Sequence, residues 1–368
     1  MNMHTLGLLK KVSEKYVLSG TLGDYIHCNN GHINDTYHVK YINEDGIIDE
    51  YIFQRINEYV FKEPIKVMEN IKQVSEHVKS RKMVADCDIV TFFDNLDGKN
   101  YTVCEGSYWR VCHYVLNSVS HETAEDPKVL QSAGYAFGRF QHLLSDLPMD
   151  RLHDTIPNFH NTKKRLKDFF DMVALDPQGR VKDVKEDIAF FEKNREIASK
   201  LIEMQENGEL PLRVTHNDTK YNNILMDKTT CAPLCVIDLD TVMPGLSMYD
   251  FGDAIRFAAN TAVEDEADLS KVGLNMVNYE EFTRGFIRAS RDFLSKNEIE
   301  NMALGAIVIT IELASRFLAD HLDGDKYFRI HRPNHNLDRA RCQIRLAQDM
   351  MAKYDEMHKV IMETANML

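Results

Sequence analysis

Residues 214–226, VTHNDTKYNNILM, place His216, Asp218, Lys220, Asn222 and Asn223 within eight positions, between apolar pairs. The run is too polar for a core strand and too apolar at its ends for a surface loop. It reads as a short loop clamped between buried anchors, which suits a site better than a linker. It fits the pattern H-x-D-x-K-x-x-N. Twenty residues past Asp218, Cys235-Val-Ile-Asp238-Leu-Asp240 is an apolar strand ending in two carboxylates.

Phosphoryl transfer needs these groups. One carboxylate orients the attacking hydroxyl or accepts its proton. An amide oxygen and a second carboxylate hold magnesium against the ATP phosphates, and a nearby cation neutralises the moving phosphoryl group. Asp218, Asn223, Asp238 and Lys220 supply that set in order, with Asp240 a further candidate metal ligand. The plainer reading is a structural histidine beside a loop aspartate. The asparagine five residues past Asp218 and the strand ending in aspartate favour the kinase-type loop. Asn222 suits a cap or turn.

With these residues in view, the segment resembles the catalytic loop of the aminoglycoside phosphotransferase and choline kinase group of small-molecule kinases. It is more similar still to the N-acetylhexosamine 1-kinases of that group. The stretches NGHINDTY at 30–37, FQRIN at 53–57, VFKEP at 60–64, YDFGDAIR at 249–256 and RFLADHLDGDKYF at 316–328 carry the same likeness along nearly the whole chain. The resemblance implies transfer of the ATP γ-phosphoryl group to the anomeric hydroxyl of an N-acetylhexosamine, with Mg2+ as cofactor. It implies a nucleotide contact at Gly31, Asn34 and Thr36, and acceptor contacts at His32, Asp218, Phe257, Arg316 and Tyr327. It also implies that Asp250 braces the catalytic loop, although a helix cap is the plain alternative. The three-glycine phosphate loop of protein kinases is absent, so Gly31 also fits a simple hairpin turn.

On the strand through 51–57, Phe53 and Arg55 share a face. They take the spacing at which protein kinases line adenine and clamp phosphate, with Arg55 in place of lysine and Glu69 as its prospective partner. The strand at 109–115 leads into the lobe connection, where backbone of Tyr114 and Val115 would meet the adenine edge. Asp253 and Arg256 are placed for a local ion pair.

These residues need a scaffold. The first ~115 residues carry strand signals: a strand–turn–strand over 24–39, strands at 47–57, 88–93 and 109–116, and one helix starting near Pro64 with Met68, Ile71, Val74 and Val78 on one face. From 117 on, helical periodicity covers 128–144, 161–173, 181–205, 278–294, 299–318 and 336–367, interrupted by short strands at 212–251. The fold expected is α+β and two-lobed like a protein kinase: a β-rich nucleotide lobe at 1–116 and a helical lobe at 117–368 for catalysis and acceptor binding.

Composition sets the outer bounds. The 368 residues suffice for one large core or two lobes. A net charge of −13 disfavours nucleic acid and anionic membrane as partners. The seven cysteines fit no zinc spacing and read as reduced thiols. The first residues lack a signal-peptide pattern. The most apolar run, 304–311, is short of the roughly 20 residues a membrane span needs. The expectation is a cytoplasmic monomer that binds ATP and a small sugar acceptor. A related kinase for choline, an aminoglycoside, homoserine or methylthioribose is the nearest alternative. An inactive nucleotide-binding regulator and a metallohydrolase built on His216 and Asp218 are the others.

Overall fold

The computed structural model describes residues 3–28, 33–81, 88–121 and 126–367. The chain opens with a short amphipathic helix, α1 (Met3–Ser13), which the sequence pattern had not suggested. Strands β1 (Thr21–Cys28), β2 (Asp35–Ile42) and β3 (Ile48–Arg55) precede helix α2 (Pro64–Ser80). The short β4 (Asp88–Ile89) follows, then β5 (Thr102–Cys104) and β6 (Ser107–His113). A five-stranded antiparallel sheet forms in the order β1-β2-β3-β6-β5.

Alternation along these strands gives the sheet two faces. On one, Val39, Tyr41, Tyr51, Phe53, Trp109 and Val111 pack under Leu9 and Val12 of α1. The other face carries Thr36, Gln54 and Arg110 in one cross-strand row, and Ile52 and Cys112 there join the main core with Met68 of α2. The expected strand over 88–93 shrinks to β4 and an isolated bridge between Phe92 and Cys112.

The next elements are β7 (Ser118–Val119), α3 (Pro127–Leu143), α4 (Thr162–Leu175), α5 (Lys185–Lys193) and α6 (Arg195–Glu206). Three more strands follow, β8 (Arg213–Thr215), β9 (Ile224–Asp227) and β10 (Pro233–Val236). Then come β11 (Met243–Gly245), α7 (Ser247–Ala258), α8 (Met276–Ser290), α9 (Lys296–Glu300), α10 (Met302–Asp323), α11 (His335–Ala352) and α12 (Tyr354–Met367). A small sheet β4-β10-β9-β7 and the pair β11-β8 present the central loops.

Two helices expected to be continuous are broken. The 181–205 periodicity splits at Asn194, whose side-chain amide donates to the Phe190 carbonyl at 2.7 Å. The 336–367 helix breaks at Lys353, which leaves helical geometry and sends its ammonium to Leu274 O and Asp349, both at 2.8 Å.

Helix α10 contains the apolar run and is long and apolar enough to cross a membrane, but 83% of that stretch is buried inside the protein. It packs against α7 through glycines. A Cβ on Gly252 would lie 2.7 Å from Ala306 Cα, and one on Gly305 would lie 2.5 Å from Met248 O. Both neighbours are backbone and cannot swing aside, so the two helices touch at main-chain distance. Gly252→Ala should therefore destabilise the protein by roughly 1–3 kcal/mol through overpacking. Thermal unfolding checks this: an unchanged melting temperature would show that α7 and α10 can separate freely.

Candidate active site

The catalytic loop follows β8 and contains a single turn of 3-10 helix at Tyr221–Asn223. Its backbone is held from α7. The Asp250 carboxylate accepts the His216 and Asn217 N–H groups, each at 2.8 Å, and the amide of Gln141 at 2.8 Å. Asp253 accepts the Thr219 N–H at 2.9 Å and pairs with Arg256 at 2.8 Å. Asp250 is thus a brace, lying inside α7, whose cap position is Leu246. Asn217, at φ 63°, makes the sharp bend the loop requires.

His216 is fully buried between Phe137 and Phe140, with ring centroids 5.6 and 5.5 Å away. Its Nε2 bonds to the Ile237 carbonyl at 2.9 Å, and its Nδ1 accepts the Asp218 N–H at 3.3 Å. Both ring nitrogens are engaged, which makes it a structural residue that ties the loop to the strand before Asp238. A metallohydrolase built on this imidazole has no free ligand atom to use.

Asp218 and Lys220 emerge from this scaffold. Their side chains are 24% and 35% exposed, with Nζ to Oδ1 at 3.2 Å. Asn223 donates its amide to the Asp218 carbonyl at 2.8 Å and to Oδ2 at 3.2 Å. With the nitrogen so used, Asn223 has its carbonyl oxygen left to offer a cation. Asp238, at φ 60°, starts the 3-10 turn Leu239–Thr241. An amide oxygen beside a carboxylate is a donor set that suits Mg2+.

The electrostatics separate the two acids. Burial, then the charges of Asp240 and Asp218, push Asp238 up to about 7, against the pull of Arg110. Burial also opposes ionisation of Asp218, but the charge and hydrogen bond of Lys220 outweigh it and hold that carboxyl below its usual range. Asp218 is therefore ready as an ionised hydrogen-bond acceptor, while Asp238 keeps its proton to a higher pH, below which a cation must displace it.

Four expectations need correcting. Phe53 is buried under α1, on the face away from Asp238, so it cannot line adenine. Arg55 shares that parity; it is half exposed and paired with Asp35, whose carboxylate it contacts through Nε at 2.8 Å. Glu69 binds His153 at 2.7 Å instead of Arg55. Asp240 is 2% exposed and holds the Arg110 fork on both oxygens, with Asn34 donating at 2.7 Å. Those donors occupy it, which removes it from the metal-ligand set.

Thr36 faces the expected side and accepts from Gln54 at 3.1 Å. The Tyr114 N–H is already donated to Glu50 O, and Val115 O accepts from Ser118, so only part of that backbone pair is left for adenine. Gly31 and His32 lie outside the described residues.

Phe257 sits beneath two cations, Lys220 at 5.5 Å and Arg256 at 3.9 Å from the ring centre. Arg316 lies over Phe159 and Phe328, at 5.4 and 5.5 Å, and shares the buried Glu312 with His160 and Arg165. His160 also reaches the Asn217 carbonyl at 3.2 Å, linking this cluster to the catalytic loop. Tyr327 is 66% exposed, on a turn whose N–H groups at 326, 327 and 328 all point to Asp320. Sequence reasoning missed Arg110, His160, Arg165, Glu312 and Asp320. Arg110 carried one signal: a charge at an inward position of an otherwise apolar strand.

Residues 25–283 match the family model described as the phosphotransferase enzyme family, APH. The chain superposes on a microcompartment-associated aminopropanol kinase with TM-score 0.62 at 14% identity, over 96% of this chain and 98% of that one. An amicoumacin kinase in complex with AMP-PNP, Ca2+ and Ami gives TM-score 0.60 at 12% identity, over 96% of each chain. A Plasmodium vivax ethanolamine kinase gives 0.52 at 14%, over 87% and 82%. At these identities the likeness speaks for the two-lobed kinase-like fold.

Two outcomes follow from the site. Asp218→Asn should lower turnover by about 10²–10⁴-fold, the usual worth of a positioned proton acceptor, and steady-state kinetics would show it. Asp238, raised to about 7, keeps in the folded protein a proton that an unfolded chain loses near pH 4. Its ionisation thus costs metal-free stability as pH rises between those values, and a bound divalent cation must displace the proton below about pH 7. Calorimetry of Mg-ATP binding in buffers of different ionisation enthalpy should show proton release near pH 6 that fades by pH 8.5.

Proposed function

The chain belongs to the APH phosphotransferase family, and from that premise we propose that it phosphorylates the anomeric hydroxyl of an N-acetylhexosamine at the expense of ATP. Asp218 accepts the hydrogen bond of the acceptor hydroxyl and takes its proton as the phosphoryl group arrives. Lys220, 3.2 Å from that carboxylate, keeps it ionised and sits where negative charge shifts during transfer. Asn223 and Asp238 would hold Mg2+, which supplies charge neutralisation at the phosphates. The remaining work is positioning, done by the Asp250 and Asp253 braces.

The observation that carries the acceptor assignment is the charge balance beside the loop. Arg165 and Arg316 converge on one buried carboxylate, Glu312, with aromatic rings alongside. Burial, then the nearness of Arg316, lowers the affinity of the Arg165 guanidinium for its proton. A surplus of guanidinium over carboxylate repels choline, ethanolamine and aminoglycoside cations. It suits a neutral ligand rich in hydroxyl and carbonyl acceptors, with aromatic faces for a sugar ring.

The test is a steady-state comparison of N-acetylglucosamine, N-acetylgalactosamine, glucose, galactose, ethanolamine and choline with Mg-ATP. An N-acetylhexosamine should lead in kcat/KM, and preference for a cationic acceptor would refute the reading. Arg165→Met and Arg316→Met should each raise the acceptor KM by roughly 10–100-fold, the loss of one charged hydrogen bond. The KM for ATP should stay near wild type.

A further inference from the structure

Arg110 projects from β6 on the sheet face toward Asp238 and is 1% exposed. Its guanidinium spans both oxygens of Asp240, two residues beyond Asp238. Gln54 accepts from its Nε at 3.0 Å, and Phe92 stacks beneath it at 4.5 Å. Asn34 donates to the same Asp240 carboxylate and accepts the Asn57 N–H at 3.0 Å, which ties in the start of β2.

Burying two charges is costly, and apolar replacements of such pairs are often as stable or more so. Fold stability alone therefore leaves this pair unexplained. Its location offers a reason. Asp238 and Asp240 are both hard-cation ligands by chemistry, and three donors already occupy Asp240. Asp238 remains as the carboxylate for the metal beside Asn223.

We propose that Arg110 is a positioning residue for the metal–nucleotide site. It withholds Asp240 from Mg2+ and anchors the metal-binding turn to the sheet that carries the nucleotide. Arg110, reached from a different strand, takes over the organising role that the position of Arg55 had suggested. The inference rests on the family's phosphotransferase chemistry and is independent of which acceptor is used.

The test is calorimetric ATP binding with and without Mg2+ in the absence of acceptor, alongside thermal unfolding. Exchanging the pair together, Arg110→Met with Asp240→Leu, should preserve the melting temperature while weakening Mg2+-dependent ATP binding by about 10–100-fold, as for lost outer-shell partners of a metal site. KM for ATP should rise and acceptor KM should not. Wild-type Mg2+-dependent binding in that variant would overturn the proposal and leave the pair as packing. If the double variant fails to fold, Arg110→Lys decides by the same titration, because it keeps the charge and loses the two-pronged contact. A loss of about tenfold or more supports the assignment, and unchanged binding overturns it.

Discussion

Three carboxylates, at 218, 238 and 240, are drawn together by two short turns, and their mutual repulsion is the constraint around which the centre is built. Each is handled differently. Asp218 has Lys220. Asp240 has Arg110 and Asn34. Asp238 is left without a dedicated cation, and burial, then the charges of Asp240 and Asp218, push it up to about 7. An acid held in this way is a vacancy in charge terms, and a divalent ion is the species that relieves it. In the proposed mechanism this carboxylate is the one left for the metal.

Holding such a centre together requires support from residues that never meet a substrate. Asp250 and Asp253 take three backbone N–H groups of the catalytic loop. His216, seated between two phenylalanines, ties the loop to the strand leading to Asp238. These bonds lie among buried residues, where an unpaired partner is expensive. The loop is thus fixed in position before any ligand arrives, as transition-state stabilisation by positioning demands.

What could be read from sequence follows the range of the interactions. Asp218, Lys220, Asn223 and Asp238 lie within two nearby segments, so their spacing is visible in the sequence, and the β-then-helical order of the chain reports the two lobes. The faces of β3 were harder. Phe53 looks like a pocket residue until α1, hidden in an unremarkable first turn of sequence, claims that side of the sheet. A change of one residue in parity moves every side chain to the other face, and so Gln54 faces Asp238 where Arg55 was expected. Arg110 and Asp240 stand 130 positions apart, and Arg165 and Glu312 come from separate helices. No local pattern joins such pairs; only the folded sheet and bundle do.

The glycine contact between α7 and α10 has a wider meaning. Helix α10 bears Glu312, Arg316 and Asp320 along its length, while α7 bears the braces of the loop. Because the two are in contact backbone to backbone, the braces of the loop and the Glu312–Arg316 cluster ride on one joined pair of helices. Tyr327 is exposed on the turn that follows α10, whose N–H groups at 326, 327 and 328 are held by Asp320 of that helix. On the proposed reading, redrawing that turn changes the acceptor contact at Tyr327 and leaves the α7–α10 contact intact.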